Sequence, residues 1–305
     1  MTTPAIADRQ YTIEFYLDRS ARDALPLDRR FVQARIGNNR PAPGPLSQFV
    51  TRAREASLEQ YLLAHAFASS ATEGDYDVRL PGTAWARAIG GHFDHATGKV
   101  ENAALHLVSR NWRFLEDLKL IERERRNRRV RITLLADDGS GNAYVRPGAG
   151  RLGKKLVDGE PGYLQLPYAY WRDRWHEKLD LASKAMLLVA LPLGNGFQLP
   201  YARVPGWYGF SASTAERGLR DLHNHGLLHR EKLRRPDPES PVGYADVYYY
   251  ELEPPFGPRK VMSRSVHRDW VGPPKPKAPI KRRPKRPASK SRTPKATSRV
   301  LKGAA

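Results

Sequence analysis

A pattern of 20 residues that occurs twice constrains the fold of this chain more than any other feature. The first copy, LHLVSRNWRFLEDLKLIERE, occupies 105–124, and the second, ASTAERGLRDLHNHGLLHRE, occupies 212–231, at a constant offset of 107. The apolar residues at corresponding positions are Leu105, Val108, Trp112 and Leu115 in the first copy and Ala212, Ala215, Leu219 and Leu222 in the second. Their spacing of i, i+3, i+7 and i+10 is that of one face of an amphipathic helix. An apolar pair and the same Arg-Glu dipeptide follow each helix, which predicts a strand.

The similarity between the two halves extends upstream of the amphipathic helix. Each half has an apolar helical segment, LEQYLLAHAFASS at 58–70 and LASKAMLLVALPL at 181–193. Ser57 and Gln60 have the spacing of a capping box, and Asp180 is a typical N-cap residue. A Leu-Pro dipeptide and a short helix with a tryptophan come next, TAWARAIG at 83–90 and PGWYG at 205–209. We therefore expect the same order of elements in both halves.

This order resembles that of the winged helix-turn-helix family of DNA-binding domains, present here as two diverged copies. In the second copy, Gly209-Phe210-Ser211 forms the turn and Ser211 or Ser213 caps the long helix. Gly226 supplies the left-handed residue that ends that helix. The resemblance covers roughly 57–135 and 178–253. It implies an α+β fold with two winged helix-turn-helix domains. The C-terminal tail combines proline, lysine and small polar residues, and this composition predicts a disordered basic tail.

The resemblance and the composition together divide the chain into five segments. They are an N-terminal segment (1–56), a first winged-helix domain (57–136), a flexible glycine-rich linker (137–162), a second winged-helix domain (163–256) and a disordered tail rich in lysine, arginine and proline (257–305). Within the N-terminal segment, RQYTIEFYL at 9–17 alternates like a strand, so we expect a strand plus a helix there. The predicted wings are IERERRNRRVRITLL at 121–135 and, in the second domain, Leu227–Leu233 paired with Val247–Leu252.

The charge of the chain indicates a polyanionic partner. The net charge is +20, and the isoelectric point is near 10.2. The stretch from Val271 to Ala305 has 12 lysines and arginines and no acidic residue, which leaves +8 for residues 1–270. The absence of cysteine excludes disulfides, thiolate metal sites and cysteine nucleophiles. No secretion leader and no apolar run long enough to span a bilayer are present, so we expect no membrane partner and a cytoplasmic, nucleoid-associated protein.

The resemblance implies which side chains contact double-stranded DNA. A long helix of this kind lies in the major groove with its N-terminal side chains near base edges, where arginine reads guanine with two hydrogen bonds. These side chains are Ser213, Thr214, Arg217 and Arg220 in the second copy and His106, Arg110 and Arg113 in the first. The wing residues expected to contact phosphates or the minor groove are Arg125, Arg126, Arg128 and Arg129 in the first copy and Arg234 and Arg235 in the second. Leu107 stands where the second copy has Thr214, so the first copy is alternatively a protein-interaction domain that forms a homodimer.

Several motifs resemble catalytic, metal-binding, phosphate-binding or base-stacking motifs, but each lacks part of the pattern that such a site requires. His223-Asn224-His225 lies at the expected end of the long helix, where such side chains meet free carbonyls. His92-Phe93-Asp94-His95 is contiguous on a loop and has no distant ligand to complete a metal site. Gly148–Lys155 nearly spells a phosphate loop, yet Lys155 stands where Ser or Thr would hold magnesium. The run Tyr248-Tyr249-Tyr250 is better explained by packing in the wing than by base stacking. We predict no enzyme activity, no catalytic or metal-binding residue and no cofactor.

Three functions remain open from the sequence. The first is sequence-specific binding of double-stranded DNA in transcriptional regulation, for which we expect sites in promoters. The second is a replication or partition initiator of a plasmid or mobile element, with repeated sites at one origin. The third is a non-specific nucleoid or architectural protein, for which the tail would provide most of the affinity.

Overall fold

A computed structural model of the chain describes residues 7–20, 22–68, 76–94, 97, 99–126, 129–145 and 162–257. The fold is mixed α+β, with helices and small antiparallel sheets. Contacts place all of these residues in a single compact unit. The predicted tail from 258 onward lies outside the described residues.

The N-terminal segment forms two helices and three short strands. These are α1 (Arg9–Leu17), β1 (Ala24–Asp28), β2 (Gln33–Ile36), β3 (Arg40–Pro43) and α2 (Leu46–Thr51), with a 3-10 turn at Arg29–Phe31. The prediction of a strand at 9–17 is wrong. The Asp8 side chain caps a helix there by accepting from the Tyr11 amide at 2.7 Å. Ile13 and Leu17, four residues apart, are the buried side chains of one helical face.

The first half continues as helix, strand, short helix, long helix and hairpin. The elements are α3 (Glu55–Ala68), β4 (Asp77–Leu80), α4 (Gly82–Ala88), α5 (Asn102–Asp117), β5 (Ile121–Arg126) and β6 (Arg129–Leu134). The three strands form an antiparallel sheet in the order β4-β6-β5. The predicted capping box at Ser57 is wrong, because α3 begins two residues earlier. Ser57 is buried inside α3 and donates to Asn111 Oδ1 of α5 at 3.0 Å, and Asn111 in turn donates to Gln60 Oε1 at 2.9 Å.

The second half has a similar order of elements. They are β7 (Tyr163–Pro167), α6 (Ala169–Arg172), α7 (Trp175–Lys178), α8 (Leu181–Ala190), α9 (Val204–Tyr208), α10 (Ala212–Asn224), β8 (Leu228–Pro236) and β9 (Tyr244–Leu252), with a 3-10 turn at Tyr201–Arg203. The predicted N-cap at Asp180 is confirmed, because its side chain accepts from the Ser183 amide at 2.8 Å. β8 and β9 form a hairpin in which Leu228 is opposite Leu252.

The offset of 107 holds in the backbone as well as in the sequence. α5 ends at Asp117 and α10 at Asn224, and the next strands begin at Ile121 and Leu228. Between helix and strand, Lys119 and Gly226 occupy corresponding positions with φ of 55° and 71°. This left-handed conformation ends a helix and suits glycine better than lysine. The predicted apolar faces are buried at Val108, Trp112 and Leu115 and at Ala215, Leu219 and Leu222.

The N-terminal segment and the start of the predicted linker pack against both halves. β1 pairs with β7 of the second half, and β3 contacts α9. Asp137 is buried, and its carboxylate accepts from the Asp28 amide at 2.8 Å and from the Tyr61 hydroxyl at 2.6 Å. Asp137, the first residue of the predicted linker, is therefore packed against this segment and α3. Residues 146–161 of the predicted linker are outside the described residues.

A buried lysine joins α3 of the first half to α8 of the second. Lys184 Nζ lies 2.9 Å from Glu59 Oε1 and 2.7 Å from Glu55 Oε1. The side chains of Lys184 and Glu59 are each only 3% exposed, and the Tyr170 hydroxyl also donates to Glu59. Burial acts to lower the pKa of Lys184, but the two carboxylates outweigh it and raise that pKa. The charged Lys184 therefore contributes fully to stability below its unfolded-state pKa of about 10.5. This contribution is lost as the pH rises through the higher pKa that Lys184 has in the folded protein.

Lys184→Met should destabilise the protein by about 3–5 kcal/mol, because it leaves the Glu59 carboxylate buried without its cation. The matched control is Lys232→Met, which removes a lysine at the same 2.7 Å from a carboxylate (Asp246) but on the surface, so little change is expected. The free energy of unfolding from urea denaturation is the measurement. Adding Glu59→Leu to Lys184→Met should recover part of the loss. Equal effects of the two lysine substitutions would contradict this account of the buried pair.

Gly218 allows α10 to approach α8 closely. A Cβ atom at this position would lie 2.4 Å from the Ala182 carbonyl oxygen and 2.7 Å from Met186 Cγ. Neither distance is compatible with normal packing, and the carbonyl belongs to the backbone of α8. Glycine is therefore required here by contact rather than by its own backbone conformation.

Gly218→Ala should reduce the free energy of unfolding by about 1–3 kcal/mol, because the two helices must separate. This loss should exceed the gain of about 1 kcal/mol that alanine brings inside a helix. Gly206→Ala in α9 is the control, since, apart from its chain neighbours and its own helix backbone, no atom of the described residues lies within 4 Å of the added Cβ. We expect it to leave stability unchanged or to raise it. Urea denaturation of both variants checks the pair, and a stable Gly218→Ala protein would contradict the close contact.

Candidate nucleic-acid interface

The N-terminus of α10 is fixed by a cap at Ser211. The Ser211 Oγ accepts from the Thr214 amide at 3.1 Å, which resolves the choice between Ser211 and Ser213 in favour of the former. Ser213 is exposed and its hydroxyl lies 2.9 Å from that of Ser211, while Thr214 is half-buried. The cap satisfies one of the free amides of the first turn and sets the direction of the helix.

One face of α10 is polar and open to solvent. Ser213, Arg217, Arg220 and Asn224 are exposed and follow the spacing i, i+4, i+7 and i+11. This spacing places them on one stripe, opposite the buried face that contains Leu219. We call these four residues the α10 stripe. It presents two guanidinium groups and two smaller hydrogen-bonding side chains along about three turns of helix.

The two arginines of the α10 stripe differ in their surroundings. Arg217 Nε lies 3.6 Å from Asp180 Oδ2, and both side chains are largely exposed, at 59% and 51%. Burial acts to raise the pKa of Asp180, but the hydrogen bonds from Ser183 and the charge of Arg217 outweigh it, so the pKa is lowered. Arg220 makes no ion pair within the described part of the chain. An exposed pair of this kind contributes little to stability, so Arg217 can exchange Asp180 for another anion.

α5 presents a corresponding stripe in the first half. His106, Arg110 and Arg113 are exposed and stand at the positions that match Ser213, Arg217 and Arg220. The stripe ends in Asp117 where α10 has Asn224, so its C-terminal end is less favourable for an anion. Leu107, on which the alternative of a dimerising domain depended, is half-buried and packs against the core.

The β8–β9 hairpin has a row of cations on one face. The register places Arg230, Lys232 and Arg234 of β8 opposite Tyr250, Tyr248 and Asp246 of β9. The Arg230 guanidinium lies 5.2 Å from the centre of the Tyr248 ring, and that of Arg234 lies 4.0 Å from the Tyr244 ring. Arg230 and Lys232 were not among the predicted contact residues, although the alternation of Arg230, Lys232 and Arg234 in the sequence places all three on one face of a strand.

Arg234 and Arg235 do not lie together. They are neighbours in a strand, so their side chains point to opposite faces of the hairpin. Arg235 is half-buried and donates to the hydroxyl of Tyr249. Tyr249 and Tyr250 are buried and Tyr248 is half-buried, which confirms the prediction of packing for this run. The exposed cationic face of the hairpin therefore contains Arg234 and excludes Arg235.

The β5–β6 hairpin of the first half is described mainly by its backbone. Arg125 pairs with Val130, and Arg126 pairs with Arg129. Arg128 and the side chains of the other three predicted wing arginines lie outside the described residues. Arg123 Nη2 lies 2.8 Å from Glu116 Oε2, which ties β5 to the C-terminal end of α5.

The described histidines that were considered for catalysis or metal binding lie next to a backbone carbonyl or a single carboxylate. His223 lies at the end of α10, and its Nδ1 is 2.9 Å from the Leu228 carbonyl oxygen. His225 Nε2 lies 3.7 Å from Asp221 Oδ1, and His92 Nε2 lies 3.6 Å from Glu101 Oε1. Within the described ranges, no group of three side chains has the geometry of a metal site. None of the helices seen there is long and apolar enough to cross a membrane.

No protein-family model, curated protein or solved structure matches this chain.

Ser211→Ala should reduce the free energy of unfolding by about 1 kcal/mol, because the Thr214 amide loses its acceptor. Ser213→Ala is the matched control, two residues further along the chain. It should change stability by less than about 0.5 kcal/mol, since its side chain is exposed and caps no amide. Urea denaturation of the two variants distinguishes the roles. A larger effect at Ser213 would mean that the cap is assigned to the wrong serine.

Proposed function

We propose that the protein binds double-stranded DNA with sequence selectivity through two winged helix-turn-helix units. Each half has a helix, a short helix, a long amphipathic helix and a two-stranded hairpin in this order. In the first half β4 precedes the short helix and forms the third strand of the sheet, as in winged helices. The order of elements supports the assignment in both halves, and the sheet supports it most strongly in the first.

The observation that carries the proposal is the pair of matching stripes on α5 and α10. Both leave arginines uncovered at the same two helical positions, Arg110 with Arg217 and Arg113 with Arg220. A helix with its side chains is about 10–12 Å across, and the major groove of DNA is about 12 Å wide. Arginine at the groove floor can donate two hydrogen bonds to guanine O6 and N7. A stripe of this composition is suited to reading bases rather than only to attracting phosphates.

The hairpin cations support a second kind of contact. Arg230, Lys232 and Arg234 lie in a row on the β8–β9 hairpin, which follows α10 directly. Phosphate contacts of this kind fix the register of a protein on DNA and make affinity depend on salt. Asp246 pairs with Lys232 and Arg234, so phosphates must compete with this carboxylate.

We place this activity in transcriptional regulation, with replication or partition initiation as the second candidate. Both require two reading units that cover an extended or repeated site, which the two matching stripes favour over non-specific binding. The proposal includes no catalytic step.

In the first experiment, the full chain selects the DNA duplexes that it binds from a randomised pool. The selection is carried out at about 150 mM salt, where non-specific binding is weak. We expect a motif to be enriched. Arg217→Ala and Arg220→Ala should each weaken binding to it by about 1–3 kcal/mol, roughly 5- to 150-fold, and relax the preference at one base. Arg172→Ala is the matched control, because Arg172 is also exposed and also pairs with an aspartate (Asp18) at 3.2 Å. It should bind like the unaltered chain.

The outcomes separate the candidate functions. Motif positions in promoters would support regulation, and clustered repeats at one origin would support replication or partition. If no motif is enriched and all three arginine variants lose affinity equally, the protein is a non-specific binder and the stripes are not reading helices.

A further inference from the structure

A cleft of about 470 Å³ lies between the N-terminal segment and the second half, and no residue of the stripes on α5 and α10 is in the lining that the structure describes. Arg29, Gln33 and Arg35 line it from the N-terminal segment, while Val189 and Tyr208 line it from α8 and α9. We call it the Arg29–Arg35 cleft. Its volume is within the range of about 300–1,000 Å³ that small-molecule sites occupy.

The three arginines that line the cleft differ in whether a carboxylate balances their charge. Arg30 lies 2.7 Å from Asp28 Oδ2 and 2.6 Å from Asp138 Oδ2, so its charge is compensated. Neither Arg29 nor Arg35 makes an ion pair with any side chain that the structure describes, and none of the residues that line the cleft is acidic. Two guanidinium groups therefore face one cleft with a surplus of positive charge, which favours an anion.

Part of the remaining wall is apolar. Val32 and Val189 are buried, whereas the half-buried Pro192 and the exposed Leu193 supply accessible apolar surface. Tyr208 is also buried, and its hydroxyl makes no hydrogen bond with a described residue. Burial raises the pKa of Tyr208 to about 12, and the charge of Arg35, which lines the same cleft, opposes that rise. The cleft thus combines cations with an apolar surface and a neutral hydroxyl donor.

We propose that the Arg29–Arg35 cleft binds a small organic anion, whose carboxylate, sulfonate or phosphate group lies between Arg29 and Arg35 and whose apolar body packs on Pro192 and Leu193. Bidentate pairing with arginine suits each of these acidic groups. The apolar surface of Pro192 and Leu193 distinguishes this site from a surface that attracts only the phosphates of DNA. This inference does not depend on the DNA-binding proposal.

Anilinonaphthalenesulfonate is a suitable probe, because it joins a sulfonate to an apolar body and its fluorescence rises when it is bound. The full chain should bind it at one saturable site. Arg29→Gln and Arg35→Gln should each weaken this binding about tenfold, since each removes a charged hydrogen-bonding group. Arg172→Gln, at an exposed arginine outside the cleft, is the control and should bind like the unaltered chain. Thermal unfolding of each variant verifies that it is folded.

Leu193→Glu provides a second test that leaves the arginines in place. Leu193 is 40% exposed at the rim, so a carboxylate is tolerated there and should repel the probe. Leu193→Gln, of the same size without the charge, should have a smaller effect.

A neutral probe and two competing anions define the ligand class. Neutral N-phenylnaphthylamine should bind at least tenfold more weakly than the sulfonate probe. Benzoate should displace the bound sulfonate probe, and inorganic phosphate should displace that probe only at a much higher concentration. The proposal is overturned if Arg29→Gln and Arg35→Gln bind the sulfonate as the control does, if the neutral compound binds equally well, or if phosphate alone competes as effectively as benzoate. None of these measurements includes DNA, so their failure leaves the DNA-binding proposal untouched.

Discussion

Lys184 and Glu59 are both removed from water where α3 meets α8, and each is tolerated there because the other is present. A buried charge without its partner is costly, so these helices are favoured in one relative arrangement only. α3 then holds α5 through the buried Ser57, Asn111 and Gln60 network. α8 holds α10 through the close approach at Gly218. Both exposed stripes are therefore supported by the same central pair of helices.

The polar faces of α5 and α10, which carry the proposed function, are exposed because the apolar faces of the same helices are buried in the core. Trp112 and Leu115 of α5 and Leu219 and Leu222 of α10 are fully engaged in the core. Acidic residues stand beside several of the exposed cations, as Asp180 does beside Arg217. Such pairs are weak in water and hold the long side chains near a defined position. A stronger anion can replace the carboxylate without a change in the backbone.

Local patterns predicted much of the fold. The amphipathic helices, the cap at Asp180, the left-handed Gly226 and the β8–β9 hairpin all follow from residue type and spacing. The errors occurred where tertiary contacts decide. RQYTIEFYL alternates in polarity, yet the Asp8 cap and the burial of Ile13 with Leu17 make it a helix.

The candidate site was also predicted only in part. Helical spacing alone predicts that Arg110, Arg113, Arg217 and Arg220 are exposed. The strand register of the β8–β9 hairpin is needed to show that Arg234 and Arg235 point to opposite faces and that Arg230 begins the row of cations. The Arg29–Arg35 cleft could not be found in the sequence, because its two walls are distant along the chain and no motif connects them.

The pairing of β1 with β7 has a consequence for how the protein folds. Asp28 and Tyr163 are partners in this small sheet, although about 135 residues separate them along the chain. Contacts over such a distance raise the contact order and require closure of a long loop, which slows folding. During synthesis, β1 must wait until most of the chain has left the ribosome before its partner strand exists. The hydrophobic side chains Leu25 and Leu27 then remain uncovered longer than those of a local hairpin, which exposes the N-terminal segment to aggregation before folding is complete.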